Sequence, residues 1–364
     1  MKAIDHRPNS QHQKQIDWPA VRRVLIVRLR SIGDTVLSTP SLIALKRFRP
    51  DAEIDILLED WVAPLLNGFN AVDNVLTVDK SSSSRLQTAW QIRHRRYDVV
   101  FNLHGGTTGT FFTFVSGAKH RVGYAEYQYS FLYNHLLSSA ADYWHEHVTH
   151  SAEQQLALLG FVGVPVQDRP KSRLAVTDEA MRSMEHKIDA SGPFALFHPA
   201  AAFATKQWAT ENFARTAEYL YEKGIHTIAV AAKSESNVLE RLQDESRIRI
   251  TTSDDLSLPE ITALASKAIL FVGNDSGIAH IAAAVGTPAV VVFGSSNVNH
   301  WRPWTDAANE LVYEKLPCQP CAGYICKEFG EPKCILSVEP ESICEAIERV
   351  LTKVKKAGPG SPPL

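Results

Sequence analysis

Short apolar runs alternate with amphipathic stretches along most of the chain. Residues 22–27 (RRVLIV) read as a buried strand, and 28–34 (RLRSIGD) as the turn after it. A helix is predicted over 35–48, with Pro40 in its first turns or kinking it. A strand over 52–58, a helical stretch over 61–66 and a short strand over 74–78 follow. The loop 81–84 leads to a helix over 86–96, then a strand over 97–103 that stops at His104-Gly105-Gly106. Residues 107–150 are aromatic and irregular. A helix over 151–159, a strand over 172–176 and a helix with a polar connector over 177–190 close the first half.

A second alternation begins with the strand 194–198. Helices are expected over 212–223, 235–245 and 258–266, and strands over 227–231 and 248–250. The sharpest signal lies in 268–304. There the apolar run 268–272 is broken by Gly273-Asn274-Asp275-Ser276-Gly277, and Ile278, Ile281, Ala282 and Val285 recur at helical spacing. Gly286 fits a helix stop, Pro288 supports it, and a second buried strand covers 289–293. A final helix spans 339–355. Strands alternating with helices predict α/β domains with doubly wound parallel sheets. We expect a disordered extension over 1–19, an N-terminal domain over 20–185 and a C-terminal domain over 191–338. A C-terminal helix over 339–356 and a disordered tail over 357–364 complete the division.

Composition narrows the class. A length of 364 residues suits two domains of ordinary size, and a net charge of −2 gives no sign of a nucleic-acid binder. The first residues are polar without an apolar core, and no run is long enough to span a membrane, so a cytoplasmic location is expected. Five cysteines in a chain of this length do not describe a disulfide scaffold.

Several residues could carry chemistry. Asp34 opens a helix after a strand, where a carboxylate either caps the helix or faces a cleft as a general base. Lys206 lies between a strand end and a helix, either solvated or set as a point charge on a phosphate. Trp208 beside it is either core or a platform for a flat ring. Glu235, after the strand 227–231, is either a first-turn acid or a partner for ribose hydroxyls. Asp275, Ser276 and Gly277 form the central turn, with His280 one helical turn on. Cys318, Cys321, Cys326 and Cys334 share one loop, but their spacing matches no zinc pattern well. The chain has no G-x-x-x-x-G-K-[ST], no G-x-G-x-x-G after its first strand and no D-x-D.

Taken together, five stretches resemble the ADP-heptose–lipopolysaccharide heptosyltransferases of glycosyltransferase family 9. They are VLIVRLRSIGDTVLSTPSLIALKRFRPDAEIDIL, YDVVFNLHGGTTGTFFTFVSGAKHRVGY, HPAAAFATKQWATENFA, FVGNDSGIAHIAAAVGTPAVVVFGSSNVNHWRPW and the PCQPC segment. The resemblance implies the GT-B architecture, with two Rossmann-like domains facing a cleft. It implies inverting transfer of heptose from ADP-L-glycero-D-manno-heptose to a sugar hydroxyl of the lipopolysaccharide inner core, with no required cofactor or metal. Asp34 then matches the general base and Lys206 the lysine that stabilises the leaving diphosphate. Glu235, Asp275, Ser276, Gly277 and His280 match the donor side, with Trp208 and Thr205 as further donor candidates. Thr205 enters because Ala201 and Ala202 stand where some members place hydroxyl residues. Ser31, Gly33, His104 and Arg121 are the acceptor-side candidates. The implied partners are the nucleotide-sugar and a lipid-linked core oligosaccharide. Transient contact with the inner face of the inner membrane follows, with Arg93, Arg95, Arg96, Lys119 and Arg121 available to meet acceptor phosphates. No nucleic acid is involved, and a monomer is expected. The alternatives are a member using another nucleotide-sugar and a catalytically silent nucleotide-binding protein.

Overall fold

Two parallel sheets with the same strand order organise the chain. The computed structural model describes residues 15–321 and 323–357. The first sheet contains β1 (Arg23–Leu29), β2 (Glu53–Glu59), β3 (Asn74–Val78), β4 (Val99–Asn102), β5 (His120–Tyr124) and β6 (His135–Leu137), in the order 3-2-1-4-5-6. The second contains β7 (Phe194–His198), β8 (His226–Val230), β9 (Thr251–Ser253), β10 (Leu270–Asn274), β11 (Ala289–Val292) and β12 (Asn309–Val312). Counted from β7, its order is again 3-2-1-4-5-6, and the pairings in both sheets are parallel. The central strands β1, β4, β7 and β10 are apolar and buried along nearly their whole length, as strands covered on both faces must be. Strand order reverses between β1 and β4 and between β7 and β10, so each half offers a crevice at its strand ends.

The helices of the first half are α1 (Ile32–Val36), α2 (Thr39–Phe48), α3 (Ser82–Arg95), α4 (Gly106–Val115), α5 (Ala140–Trp144) and α6 (Ser151–Phe161). The helix expected over 35–48 is thus two helices. Pro40 sits in the first turn of α2, where its missing N–H is harmless. The segment 107–150, expected to be irregular, holds α4, β5, β6 and α5. Its pattern was hidden because α4 carries no charged residue to mark a polar face. In addition, β5 and β6 bury His120 and His135, whose rings pair at 2.9 Å.

The second half adds α7 (Asp178–Lys187), α8 (Thr210–Glu222), α9 (Ser236–Glu245), α10 (Leu258–Lys267), α11 (Gly277–Ala284), α12 (Val298–Trp301), α13 (Lys333–Leu336) and α14 (Pro340–Ala357). Gly286 follows α11 at φ +80°, a conformation that suits glycine at a helix stop. No strand forms over 172–176. The Ser172 N–H donates to the Trp304 carbonyl and the Leu174 N–H to that of Ala284, which straps this segment to the loop after α12 and to the end of α11. Helix α7, expected inside the first domain, also packs there, with Ser183 and Lys187 both donating to Glu260. Helix α14 packs on the other face of the second sheet, with Ile343, Ala346, Ile347 and Val350 in the core it shares with α8.

The extension expected over 1–19 needs correction at its end. Ile16 and Trp18 are buried, the Trp18 indole donates to the Val162 carbonyl at 2.7 Å, and its ring meets Phe48 edge-on. Residues 1–14 and 358–364 lie outside the described residues. Among the described residues, no helix is long and apolar enough to cross a membrane.

The halves meet through α1 and α11. A Cβ on Gly277 would lie 2.7 Å from Cβ of Ile32, and one on Gly33 would lie 2.7 Å from Cδ2 of His280. These two glycines permit the contact by having no side chain.

Candidate active site

β1 does not end cleanly. Its register against β2 slips between Val27 and Leu29, leaving Arg28 as the extra residue. The bulge turns the Arg28 guanidinium into the crevice, where it donates to the Leu103 carbonyl and pairs with Asp34. Burial lowers the Arg28 pKa, and the Asp34 carboxylate opposes that shift. Asp34 sits in the first turn of α1. Its Oδ2 accepts from the Ser31 N–H at 3.3 Å and the Ser31 hydroxyl at 3.0 Å. It therefore caps its helix and faces the cleft at once.

Two cavities share Asp34. The first, of about 720 Å³, is framed mainly by the N-terminal half and includes Arg28, Arg30, His104, Tyr127 and His300. The second, of about 740 Å³, extends into the C-terminal half. Ser31, Asp34, Trp61 and Trp301 line both. Burial, followed by the Arg28 charge, lowers the pKa of His104.

The second cavity has a charged end and an apolar end. At the charged end Lys206 donates to Oδ2 of Asp275 at 2.8 Å, and the Ser296 hydroxyl donates to the same oxygen at 2.5 Å. Ser276 precedes α11, so the first N–H groups of that helix open onto the cavity. The Ser276 hydroxyl lies 3.1 Å from Nδ1 of His198, whose pKa burial lowers to about 4. His280 is buried with Nδ1 unpartnered, and desolvation lowers its pKa against the opposing pull of Asp275 and Asp34. At the other end Ala231, Leu256, Leu258 and Ile261 form an apolar slot, and Glu235 lies beside it with its carboxylate on the Ala232 N–H.

Ser31, Gly33, Asp34, His104, Lys206, Glu235, Asp275, Ser276, Gly277 and His280 are thus brought together around the paired cavities. Three expected residues are not. Trp208 is fully buried, with its indole donating to the Val338 carbonyl and its ring against Phe213. Thr205 turns away from the cleft. Its hydroxyl donates to the Gly323 carbonyl at 3.1 Å and accepts from Ser295 at 2.9 Å. Arg121 is the second residue of β5, near the sheet end remote from the crevice, and its guanidinium is taken by the carbonyls of Leu132 and Ala118. Conversely, Arg28, Trp61, His300 and Trp301 were not singled out from the sequence. An arginine inside the apolar run of β1 was the available signal for Arg28.

The four loop cysteines line a separate cavity of about 270 Å³ together with Thr205. All are free thiols, and burial followed by the nearby Cys318 and Cys326 raises the pKa of Cys334. Among the described residues, no group of three or more His, Cys, Asp or Glu is placed to hold a metal ion.

Two doubly wound domains, each presenting a crevice to one carboxylate, define a two-substrate transferase of GT-B architecture. Residues 85–330 match the model described as glycosyltransferase family 9 (heptosyltransferase), and the chain belongs to this family. Lipopolysaccharide heptosyltransferase 3 of Escherichia coli (strain K12) is 26% identical over 348 residues, covering 89% of this chain and 96% of that protein. A family 9 glycosyltransferase structure from Veillonella parvula DSM 2008 superposes with a TM-score of 0.79 at 18% identity, covering 92% of this chain and 98% of that one. The structure of E. coli ADP-heptose lps heptosyltransferase II gives 0.75 at 20% identity, covering 91% and 99%.

Proposed function

We propose that this glycosyltransferase moves heptose, with inversion, from ADP-L-glycero-D-manno-heptose to a hydroxyl of the lipopolysaccharide inner core. The carrying observation is that Asp34 lies in the common wall of two cavities, one of which holds Lys206. The second cavity suits ADP: the apolar slot takes the adenine, Glu235 meets the ribose, and Lys206 with the start of α11 meets the diphosphate. The first cavity takes the acceptor sugar, with Ser31 and His104 along its path, whereas Gly33, expected on the acceptor side, lies in the wall of the second cavity against His280. As the acceptor oxygen bonds to the anomeric carbon, its proton passes to Asp34. The bond from that carbon to the diphosphate breaks, and the charge left on the phosphate is met by Lys206 and the helix N-terminus. Asp275 orients the lysine, which meets the diphosphate while still paired with that carboxylate. A lipid-linked acceptor places the enzyme, as a monomer, at the cytoplasmic face of the inner membrane in transient contact.

The test is incubation with ADP-heptose and a panel of truncated core acceptors, read by mass spectrometry. Wild-type protein adds one heptose to one acceptor. Asp34→Asn adds none while keeping its ADP affinity within about threefold, less than 1 kcal/mol. Near-normal turnover by that variant removes Asp34 as the base. Transfer only from another nucleotide-sugar overturns the donor.

A further inference from the structure

The side of the first sheet that carries α3 and α4 presents large apolar groups to solvent. α3 seals the sheet with Thr88, Ala89 and Ile92 and turns Leu86 and Trp90 outward, 69% and 64% exposed. α4 buries Phe112 yet leaves Phe111 and Phe114 exposed. The two helices are contiguous. The Arg93 guanidinium lies over Gly117, just past α4, where an added Cβ would come within 2.6 Å of Nη1. The segment after β5 lies along α4, with the Thr110 hydroxyl 2.8 Å from the Tyr133 hydroxyl, and it holds out Phe131, 78% exposed.

Charge follows the same surface. Between Lys80 and Ala125 the sequence has seven basic residues and one acid, Asp98, although the whole chain carries −2. Asp98 is engaged by the N–H groups of Arg22 and Arg23 at 2.7 and 3.0 Å. Arg85, Arg93, Arg96 and Lys119 are exposed. We infer that this face docks on an anionic lipid bilayer. The aromatic rings enter the headgroup layer, and the arginines and lysine meet lipid phosphates. A symmetric pairing of two copies through this face would set cation against cation, which disfavours self-association there. The position is apt, because α4 begins just after His104 at the first cavity, so the docked face runs from the mouth of that cavity. This inference rests on the acceptor being lipid-linked.

Vesicle co-sedimentation tests it with the full chain. Vesicles of phosphatidylcholine with about 30 mol% phosphatidylglycerol should bind the protein, and phosphatidylcholine alone should not. Salt at about 0.5 M should release it. Trp90→Ser with Phe114→Ser, and separately Arg85→Glu with Arg96→Glu, should each lower binding at least about tenfold. Both pairs should keep the wild-type melting temperature and turnover on a short water-soluble core acceptor, since none of these residues lines the cavities. Equal binding to both vesicle types, or unchanged binding by both variants, overturns the docking surface. So does a concentration-dependent dimer in sedimentation velocity that the serine pair abolishes. Vesicle binding without transfer to any core acceptor sinks the acceptor assignment alone, and transfer without vesicle binding sinks the docking surface alone.

Discussion

Lys206 and Asp275 form an ion pair at 2.8 Å in the cavity assigned to the donor, with Lys206 partly open and Asp275 almost closed to solvent. An unpaired carboxylate there would repel a diphosphate. On the proposed reading the lysine would neutralise Asp275 and attract phosphate together. Lys206→Ala should weaken ADP binding about 10- to 100-fold, roughly 1.4 to 2.7 kcal/mol, while adenosine binding stays within about threefold. Calorimetry with the two ligands separates these effects. Equal loss for both would place Lys206 away from the phosphates.

The α1–α11 contact depends on Gly277. Its replacement by Ala brings a methyl against Ile32 and should cost about 1–3 kcal/mol or push the halves apart. Either way, turnover should fall at least about tenfold while adenosine binding changes little. Adding Ile32→Gly should recover part of the loss, because it removes both the Cβ and the Cγ2 that the new methyl meets. A melting curve and a kinetic double-mutant cycle check both points, and a wholly additive double variant would refute the contact.

Three buried histidines set an acid limit. Burial lowers the pKa of His150 to about 3 and of His198 to about 4, and burial with the neighbouring His120 and Arg121 lowers that of His135 to about 4. In the unfolded chain each binds a proton near its ordinary value of 6.5, whereas the folded chain does not. Stability is therefore complete above that value. Below it, roughly 1.4 kcal/mol per pH unit is lost for each histidine until the folded pKa is reached. Urea midpoints at about pH 7.5 and about pH 5 should show the fall, and His150→Gln should flatten it by one histidine's share. An unchanged midpoint would contradict it.

Trp301 belongs to α12 of the second half but lines both cavities. Trp301→Ala should raise KM for both donor and acceptor by about three- to tenfold and lower kcat, since both substrates lose one wall. Initial-rate kinetics with each substrate varied checks this. An effect confined to one substrate would mean that the ring serves one cavity.

The alternation of runs made the paired sheets legible, and the Asp34 and Asp275 turns stood out because small residues and carboxylates interrupt apolar strands there. What stayed hidden depended on direction. Thr205, Lys206 and Trp208 are close in sequence, but the tight turn Ala204–Lys206 sends successive side chains apart. Lys206 reaches the cleft, Thr205 the cysteine-lined cavity and Trp208 the core. Arg28 looked like part of a turn, and only the bulge in β1 aims it at Asp34. Trp18 shows the opposite case, a lone aromatic in a polar stretch that finds a partner 144 residues away.

The attachment of α7 to Glu260 bears on recombination between family members. A chimera joined in the connector after α7 would carry Ser183 and Lys187 over with the foreign first half and leave Glu260, a buried carboxylate, with the Ser257 N–H but without those two side-chain donors. A seam placed between Phe161 and Ser172 keeps the strap, α7 and α10 from one parent, so the natural unit of exchange begins before the second sheet does.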